Sequence, residues 1–405
     1  MKKNNEMPII IKKEQLFVSY KEFKMKKKYN VIDLFSGCGG FSSGFERAGY
    51  RILLGVDIWS DALKTFQANH KDATILEGDL SQLITEQLLK KINIPKEEID
   101  VIIGGPPCQG FSLSGFRDEQ DPRNQLYKAF VRTVKDIQPK IFVMENVPGL
   151  IKLFKGRAKE AILEDFESIG YHVNHQILTA SEFGVPQNRR RVFFVGIKKG
   201  LLDFPYDTFE FPEPTHGDKN VCPMWTCEDA LSDLPLLENN FGTEGMGYLD
   251  APKNNYQKEM RKNSSTIYNH IATQHKQQTI DIISMVPDGG NYKDLPEEFR
   301  NTRKVNIAWT RMNSQKPCFT IDTGHNHHFH YKANRVPTVR ESARIQSFPD
   351  DFIFLGTKTS QLKQVGNAVP PLLSEMVAKK ILFYLNLAAD VNINPMHNKK
   401  EETKC

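Results

Sequence analysis

No apolar stretch in this 405-residue chain approaches the ~20 residues that a membrane span requires, so a helical membrane anchor is not expected. Near the start, only Pro8–Ile11 separates two lysine clusters, too short an apolar core for a secretory signal, and a cytoplasmic setting is the expectation. Cysteine is sparse: Cys38, Cys108, Cys222, Cys227, Cys318 and Cys405 follow neither a disulfide framework nor zinc-ligand spacing. A reducing compartment fits that usage and leaves thiols free to react. Internal repeats and low-complexity tracts are absent as well. Strong charge imbalance is also missing, the net charge being +5. Nine lysines against three glutamates in residues 1–28 account for it, so the remainder is close to neutral. That arm suits either a tail drawn to polyanions or a solvated terminus, and bulk charge alone decides nothing about partners.

What is present is alternation. Strand-like runs fall at Tyr29–Phe35, Arg51–Ile58, Ala73–Glu77, Ile99–Gly105, Ile141–Asn146, Tyr171–Leu178 and Arg191–Ile197. Helix-like stretches lie between several of them, at Gly40–Ala48, Asp61–His70, Asn124–Ile137 and Gly156–Ile169. This order predicts a parallel, doubly wound α/β sheet, whose ligands bind beyond the carboxyl ends of the strands. After Ile197 the alternation stops and turn residues dominate. Residues 198–260 carry five basic and twelve acidic side chains, whereas 261–334 carry ten and six, so the later half is the one suited to a polyanion. Helical periodicity returns at Pro371–Leu387, where Leu372, Leu373, Met376, Val377, Ile381 and Tyr384 share one face.

The residues with chemistry sit just past predicted strands. A glycine-rich turn, Asp33-Leu34-Phe35-Ser36-Gly37-Cys38-Gly39-Gly40-Phe41, opens a helix and lets backbone amides approach a ligand. Asp57 ends the next strand, where an acid can hold ribose hydroxyls, and Asp79 offers an acceptor suited to an adenine edge. The turn lacks G-x-G-x-x-G spacing, which disfavours a dinucleotide and favours a nucleoside cofactor without pyrophosphate, such as S-adenosylmethionine. In Gly104-Gly105-Pro106-Pro107-Cys108-Gln109-Gly110-Phe111-Ser112, two prolines and flanking glycines place a cysteine as an exposed nucleophile. A zinc deaminase would need a second cysteine at 111, where this chain has Phe111. Taken singly, Glu145 reads as a structural carboxylate and Arg189-Arg190-Arg191 as a solvated run. Alternation at a strand start puts Arg189 and Arg191 on one face, and beside a thiol and a carboxylate they form a site.

These ordered blocks resemble the DNA (cytosine-5)-methyltransferases of the bacterial restriction-modification type. The likeness runs from Asp33 to Gly196. It resumes at Arg335–Phe352, with Thr338-Val339-Arg340-Glu341-Ser342-Ala343-Arg344-Ile345-Gln346-Ser347-Phe348-Pro349, and at Gln364-Val365-Gly366-Asn367-Ala368-Val369-Pro370. Residues 198–334 are unmatched and fall where that family keeps its variable target-recognition domain. The resemblance implies a Rossmann-like methyltransferase core with a smaller irregular recognition domain. The expected boundaries are a basic extension at 1–28, a core at 29–197, recognition at 198–344, a return to the core at 345–387 and a polar tail at 388–405.

By the same likeness Cys108 is the nucleophile, Glu145 hydrogen-bonds the cytosine ring, Arg191 holds its O2, and Arg189 supports the site and a flanking phosphate. Phe35, Ser36, Gly37, Gly39, Gly40, Asp57, Ile58, Asp79, Leu80, Pro106, Asn367 and Ala368 would contact S-adenosylmethionine. Ile58 stands where many relatives place an aromatic, with Trp59 adjacent. Gln109, Ser112, Arg300, Arg303, Lys304 and Arg311 are candidate contacts to double-stranded DNA, and base flipping is implied. His325-Asn326-His327-His328-Phe329-His330 reads as DNA-facing polar residues, with no metal expected. A monomer is expected, and a cognate restriction endonuclease acting separately is a companion the likeness allows. Cys318-Phe319-Thr320 is similar to a tripeptide of the tRNA-directed branch, so tRNA methylation is an alternative. A non-catalytic DNA-binding regulator on this fold and a nicotinamide-dependent oxidoreductase are the others.

Overall fold

The computed structural model describes residues 28–107, 125–218, 222–238, 240–300, 309–323 and 328–393. One seven-stranded sheet is built from β1 (Asn30–Leu34), β2 (Arg51–Asp57), β3 (Thr74–Glu77), β4 (Val101–Gly104), β5 (Ile141–Asn146), β6 (Tyr171–Thr179) and β7 (Arg190–Lys198), in the order β3-β2-β1-β4-β5-β7-β6. The strands β1 to β5 pair in parallel, as the alternation predicts. The all-parallel expectation fails at β7, which runs antiparallel to both β5 and β6. Its cause is the short link through the turn Ala180–Phe183. A parallel crossover takes about a dozen residues or more, usually with a helix, so the chain reverses instead.

The crossovers carry α1 (Gly40–Arg47), α2 (Ser60–Asn69), α3 (Thr85–Ile92), α4 (Gln125–Ile137) and α5 (Arg157–Ser168). Period-two alternation sends Val31, Val101, Val143, Phe193 and Val195 to one face of the sheet. Ile32, Leu54, Ile102, Phe142 and Phe194 go to the other, beneath α4 and α5. The sheet is thus covered on both sides, as doubly wound sheets must be.

Past β7 the described elements are short pieces such as Asn255–Met260 and Gln277–Ser284. Regular structure resumes with α6 (Val339–Ile345), α7 (Lys358–Asn367) and α8 (Pro371–Ile393). Helix α6 starts at a Thr-x-x-Glu capping box: Thr338 Oγ1 accepts from the Glu341 N–H, and Glu341 accepts from the Thr338 N–H. This helix therefore straddles the expected division between 344 and 345. Cys227, Leu231, Met260 and Ile267 share one apolar cluster with Val339, Ile345, Phe348 and Val365, so the inserted region and the returning block have a common core. Arg344 rivets them, donating to Asp233 at 3.0 Å and to Asp350 at 2.5 Å. Helix α8 runs beyond Leu387 because Ala388 and Ala389 favour helix and Ala388 is buried against the core.

Candidate active site

A cavity of about 700 Å³ opens at the carboxyl edge of the parallel strands, spanning the point between β1 and β4 where the strand order reverses. It brings together Phe35, Ser36, Gly37, Gly40, Asp57, Ile58, Asp79, Leu80, Pro106, Glu145, Arg189, Arg191, Asn367 and Ala368 from the sequence expectation. Gly39 is not in its wall. With φ at 94° it opens α1, and a Cβ there would lie 2.1 Å from His70 Nε2, so its smallness serves packing. Cys108, Gln109, Ser112, Arg303, Lys304 and His325–His327 lie outside the described residues.

The turn after β1 is held from β2. Ser36 N–H donates to the Val56 carbonyl at 3.0 Å and Gly37 N–H to Asp57 Oδ2 at 2.8 Å. Asp57 Oδ1 in turn accepts from Trp59 N–H at 2.9 Å. Asp57 thereby orders two backbone segments, and each oxygen retains a second lone pair for a hydroxyl. Ile58 is 67% exposed at the cavity wall, while Trp59 carries the Lys363 ammonium 4.8 Å from its ring centroid. After β3, Asp79 Oδ1 accepts from Ser81 N–H at 2.8 Å. The returning block closes the cavity at the end of α7, where Gln346 Nε2 donates to the Val365 and Ala368 carbonyls. Gly40 fits beneath it: a Cβ there would meet the Val369 carbonyl at 2.6 Å.

The other end is electrostatic. Glu145 is the penultimate residue of β5, and Arg191 Nε lies 2.9 Å from its Oε1. Burial raises the Glu145 carboxyl above the ordinary range, with Arg191 and then Arg189 pulling it back. Arg189 is 1% exposed, and Nη1 donates to the Ile321 carbonyl at 3.2 Å. Burial, then the like charge of Arg191, lowers its guanidinium to about 9, with Glu145 opposing. Arg189 lines the cavity wall beside Arg191 and is braced there by the Ile321 carbonyl. Asn146 Nδ2 donates to the Pro106 carbonyl at 2.8 Å, fixing the turn that leads to Cys108.

Two further expectations change. Arg311 is buried and spends its donors on the Val286, Ile283 and His330 carbonyls, so it is a scaffold for the inserted region and not a DNA contact. His330 is 2% exposed and its Nδ1 accepts from the Ala333 N–H at 2.9 Å, so it faces the interior and not DNA. Arg300 is exposed, with Nε donating to the Leu295 carbonyl. Among the described residues no group of histidine, cysteine and carboxylate side chains could hold a metal, and no helix is long and apolar enough to cross a membrane.

Sequence reasoning missed three residues here. Gln187 is fully buried and joins three segments, accepting from Ile321 N–H and donating to the Ile345 carbonyl and to Gln346. Gln364 and Asp33 line the cavity with unmet acceptors. Asp33 Oδ2 takes the Ser42 hydroxyl at 2.6 Å, and burial pushes its carboxyl up to about 8. Asp33 Oδ1, Ser36 Oγ, Gln364 Oε1 and Arg189 Nε are buried polar atoms without a protein partner, and all four residues line this cavity. Buried polar groups are normally satisfied, so such a cluster marks a place built for a polar ligand. Acceptors at the Asp33 end and donors at the Arg189 end suit a cationic amino-acid group and a carbonyl-bearing base, respectively. S-adenosylmethionine fits the acidic end.

Comparison with known proteins agrees with this geometry. The family model for the C-5 cytosine-specific DNA methylases matches residues 29–382. The Type II methyltransferase M.DdeI of Desulfomicrobium norvegicum is 42% identical over 393 residues, covering 90% of this chain and 92% of that protein. The Type II methyltransferase M1.HphI of Haemophilus parahaemolyticus is 44% identical over 356 residues, covering 87% and 86%. A solved structure described as a DNA modification methyltransferase encoded within an E. coli prophage superposes with a TM-score of 0.72 at 30% identity, covering 89% of this chain and 100% of that one. The sheet order, the cavity at its switch point and these matches together place the chain in the C-5 cytosine-specific DNA methylase family.

Proposed function

We propose that this chain transfers a methyl group from S-adenosylmethionine to C5 of a cytosine flipped out of duplex DNA, as the protective arm of a restriction-modification system. The observation that carries the reading is the Glu145–Arg191 pair, backed by Arg189, sharing one cavity with the cofactor-type turns after β1, β2 and β3. The unmet polar atoms there fit that cofactor, which Phe35, Ser36, Gly37, Asp57, Asp79 and Asn367 would hold. When bound it supplies an electrophilic methyl on a sulfonium.

C5 of cytosine is a poor nucleophile until the ring gains electrons. The Cys108 thiolate adds to C6, forming a C–S bond and moving the C5–C6 electron pair toward C5. Burial favours the protonated Glu145, whose O–H donates to ring N3 and withdraws the charge that develops there. Arg191 presents its guanidinium to O2, and Arg189 keeps positive potential behind it. After C5 is methylated, water takes the C5 proton, the freed C–H electron pair reforms the C5–C6 double bond, and the C6–S bond breaks to release the Cys108 thiolate. In a low-dielectric cavity each of these fixed charges counts for more than in water.

The test is methyl incorporation into duplex DNA and into tRNA, with bisulfite sequencing to locate the modified base. Incorporation into DNA at one sequence context, lost in C108S, is the expected result. Incorporation into tRNA alone, or none with the cofactor bound, overturns the reading.

A further inference from the structure

The loop after β3 is gripped from outside the cavity. The two N–H groups on Arg132 Nη2 donate to separate carbonyls, Leu80 at 2.9 Å and Leu83 at 2.6 Å. One turn further along α4, Asp136 Oδ2 accepts from the Thr85 hydroxyl at 2.6 Å, at the start of α3. Positions 132 and 136 lie on one helix face, so α4 holds residues 80–85 at both ends. Inside this span the loop is tight: the Asp79 carbonyl accepts from Gln82 and Leu83 N–H, and Asp79 Oδ1 accepts from Ser81 N–H. Leu80 is 2% exposed and Asp79 and Leu80 both line the cavity, as does Leu126 at the start of α4. A guanidinium that satisfies two carbonyls of one five-residue turn sets the orientation of that turn.

We propose that Arg132 is a positioning residue for cofactor specificity: it aims the Asp79 carboxylate at the exocyclic amine of the cofactor's purine, so that an adenosyl group is selected over a 6-oxo purine. This rests on reading Asp79 as the acceptor for that amine. Arg132 touches neither base nor sugar; it acts through Leu80 and Leu83. The selection arises because an amine donates to the carboxylate, whereas a 6-oxo group sets two acceptors against each other.

The experiment measures binding of S-adenosylhomocysteine and S-inosylhomocysteine to the full chain by calorimetry, in native protein, R132M, R132K and D79A. The native chain should prefer the adenosyl ligand by about tenfold or more, the worth of one charge-assisted hydrogen bond. R132M keeps the aliphatic stem and loses the donors, so its preference should fall to about twofold, with inosyl affinity little changed. R132K, which retains the charge and part of the donor set, should recover part of the preference. A purely structural role would weaken both ligands equally or neither, and either result overturns the proposal. Unchanged preference in R132M with a collapsed one in D79A removes the positioning role alone. Unchanged preference in D79A removes Asp79 as the acceptor and the proposal with it.

Discussion

Asn146 offers the sharpest test of how the site is held. Its Nδ2 donates to the Pro106 carbonyl at 2.8 Å, and its Oδ1 accepts from Val147 N–H at 2.9 Å. Asn146 and Pro106 are both buried, so water is a poor substitute for the bond between them. Asn146→Asp keeps the acceptor to Val147 but sets a carboxylate oxygen against the carbonyl oxygen of Pro106. An unsatisfied buried acceptor costs about 1–3 kcal/mol, and the repulsion places this variant near the top of that range. At about 1.4 kcal/mol per tenfold, some 2–3 kcal/mol leaves the turn correctly placed in roughly one molecule in 30 to 150. Single-turnover methylation should slow by a similar factor.

The pH dependence identifies the cause. In a buried setting facing a carbonyl, the introduced carboxyl holds its proton to higher pH than a free one. Protonated, it regains an O–H donor to Pro106; ionised, it loses that donor. The ratio of N146D to native rate should therefore rise as pH falls. A ratio that stays flat, or a single-turnover rate equal to the native one, would refute the reasoning.

Two other perturbations report on the buried charges. Asp33 has a folded-state carboxyl raised to about 8 by burial, so between its unfolded value and that one the native chain binds the extra proton. Stability then falls as pH rises across that window, and Asp33→Asn should gain on the native protein in urea midpoint from pH 5 to 8; a constant difference would show that Asp33 does not titrate there. Arg344→Met leaves Asp233 and Asp350 buried without their main cation, which should cost about 3–5 kcal/mol by urea unfolding. Adding Asp233→Asn and Asp350→Asn should recover much of that loss, and failure to do so would mean that Arg344 matters for its packing.

The core was legible because its signals are local. Each strand that ends at the cavity is a short apolar run closed by a turn residue: Leu34 before Phe35, Val56 before Asp57, Glu77 before Gly78-Asp79, Gly104 before Gly105-Pro106. Period-two burial and helix spacing can be read from a few neighbours. The Thr338–Glu341 capping box was also present to be read, and it shows the helix starting before the expected division at 344. What escaped was long-range hydrogen bonding by polar side chains. Gln187 is satisfied by Ile321, 134 residues away, and Arg311 by carbonyls 19 to 28 residues from it. Nothing adjacent distinguishes such an arginine from one that meets phosphate. A guanidinium has five donors and can be consumed by main-chain carbonyls, so positive charge in a sequence over-predicts nucleic-acid contact.

The departure from a parallel sheet is what completes the site. Ligand-facing residues of a parallel strand must lie at its carboxyl end, which is why Asp57 and Glu145 do. Arg189 and Arg191 sit instead at the amino end of β7. In a parallel β7 that end would lie at the opposite edge of the sheet, a strand's length from Glu145. Reversal pairs Glu145 with Phe193 and Asn146 with Val192, which carries Arg191 to the carboxyl edge and within 2.9 Å of Glu145. The short turn at Ala180–Phe183 that forbids a crossover is therefore the local feature that brings the cations to the carboxylate.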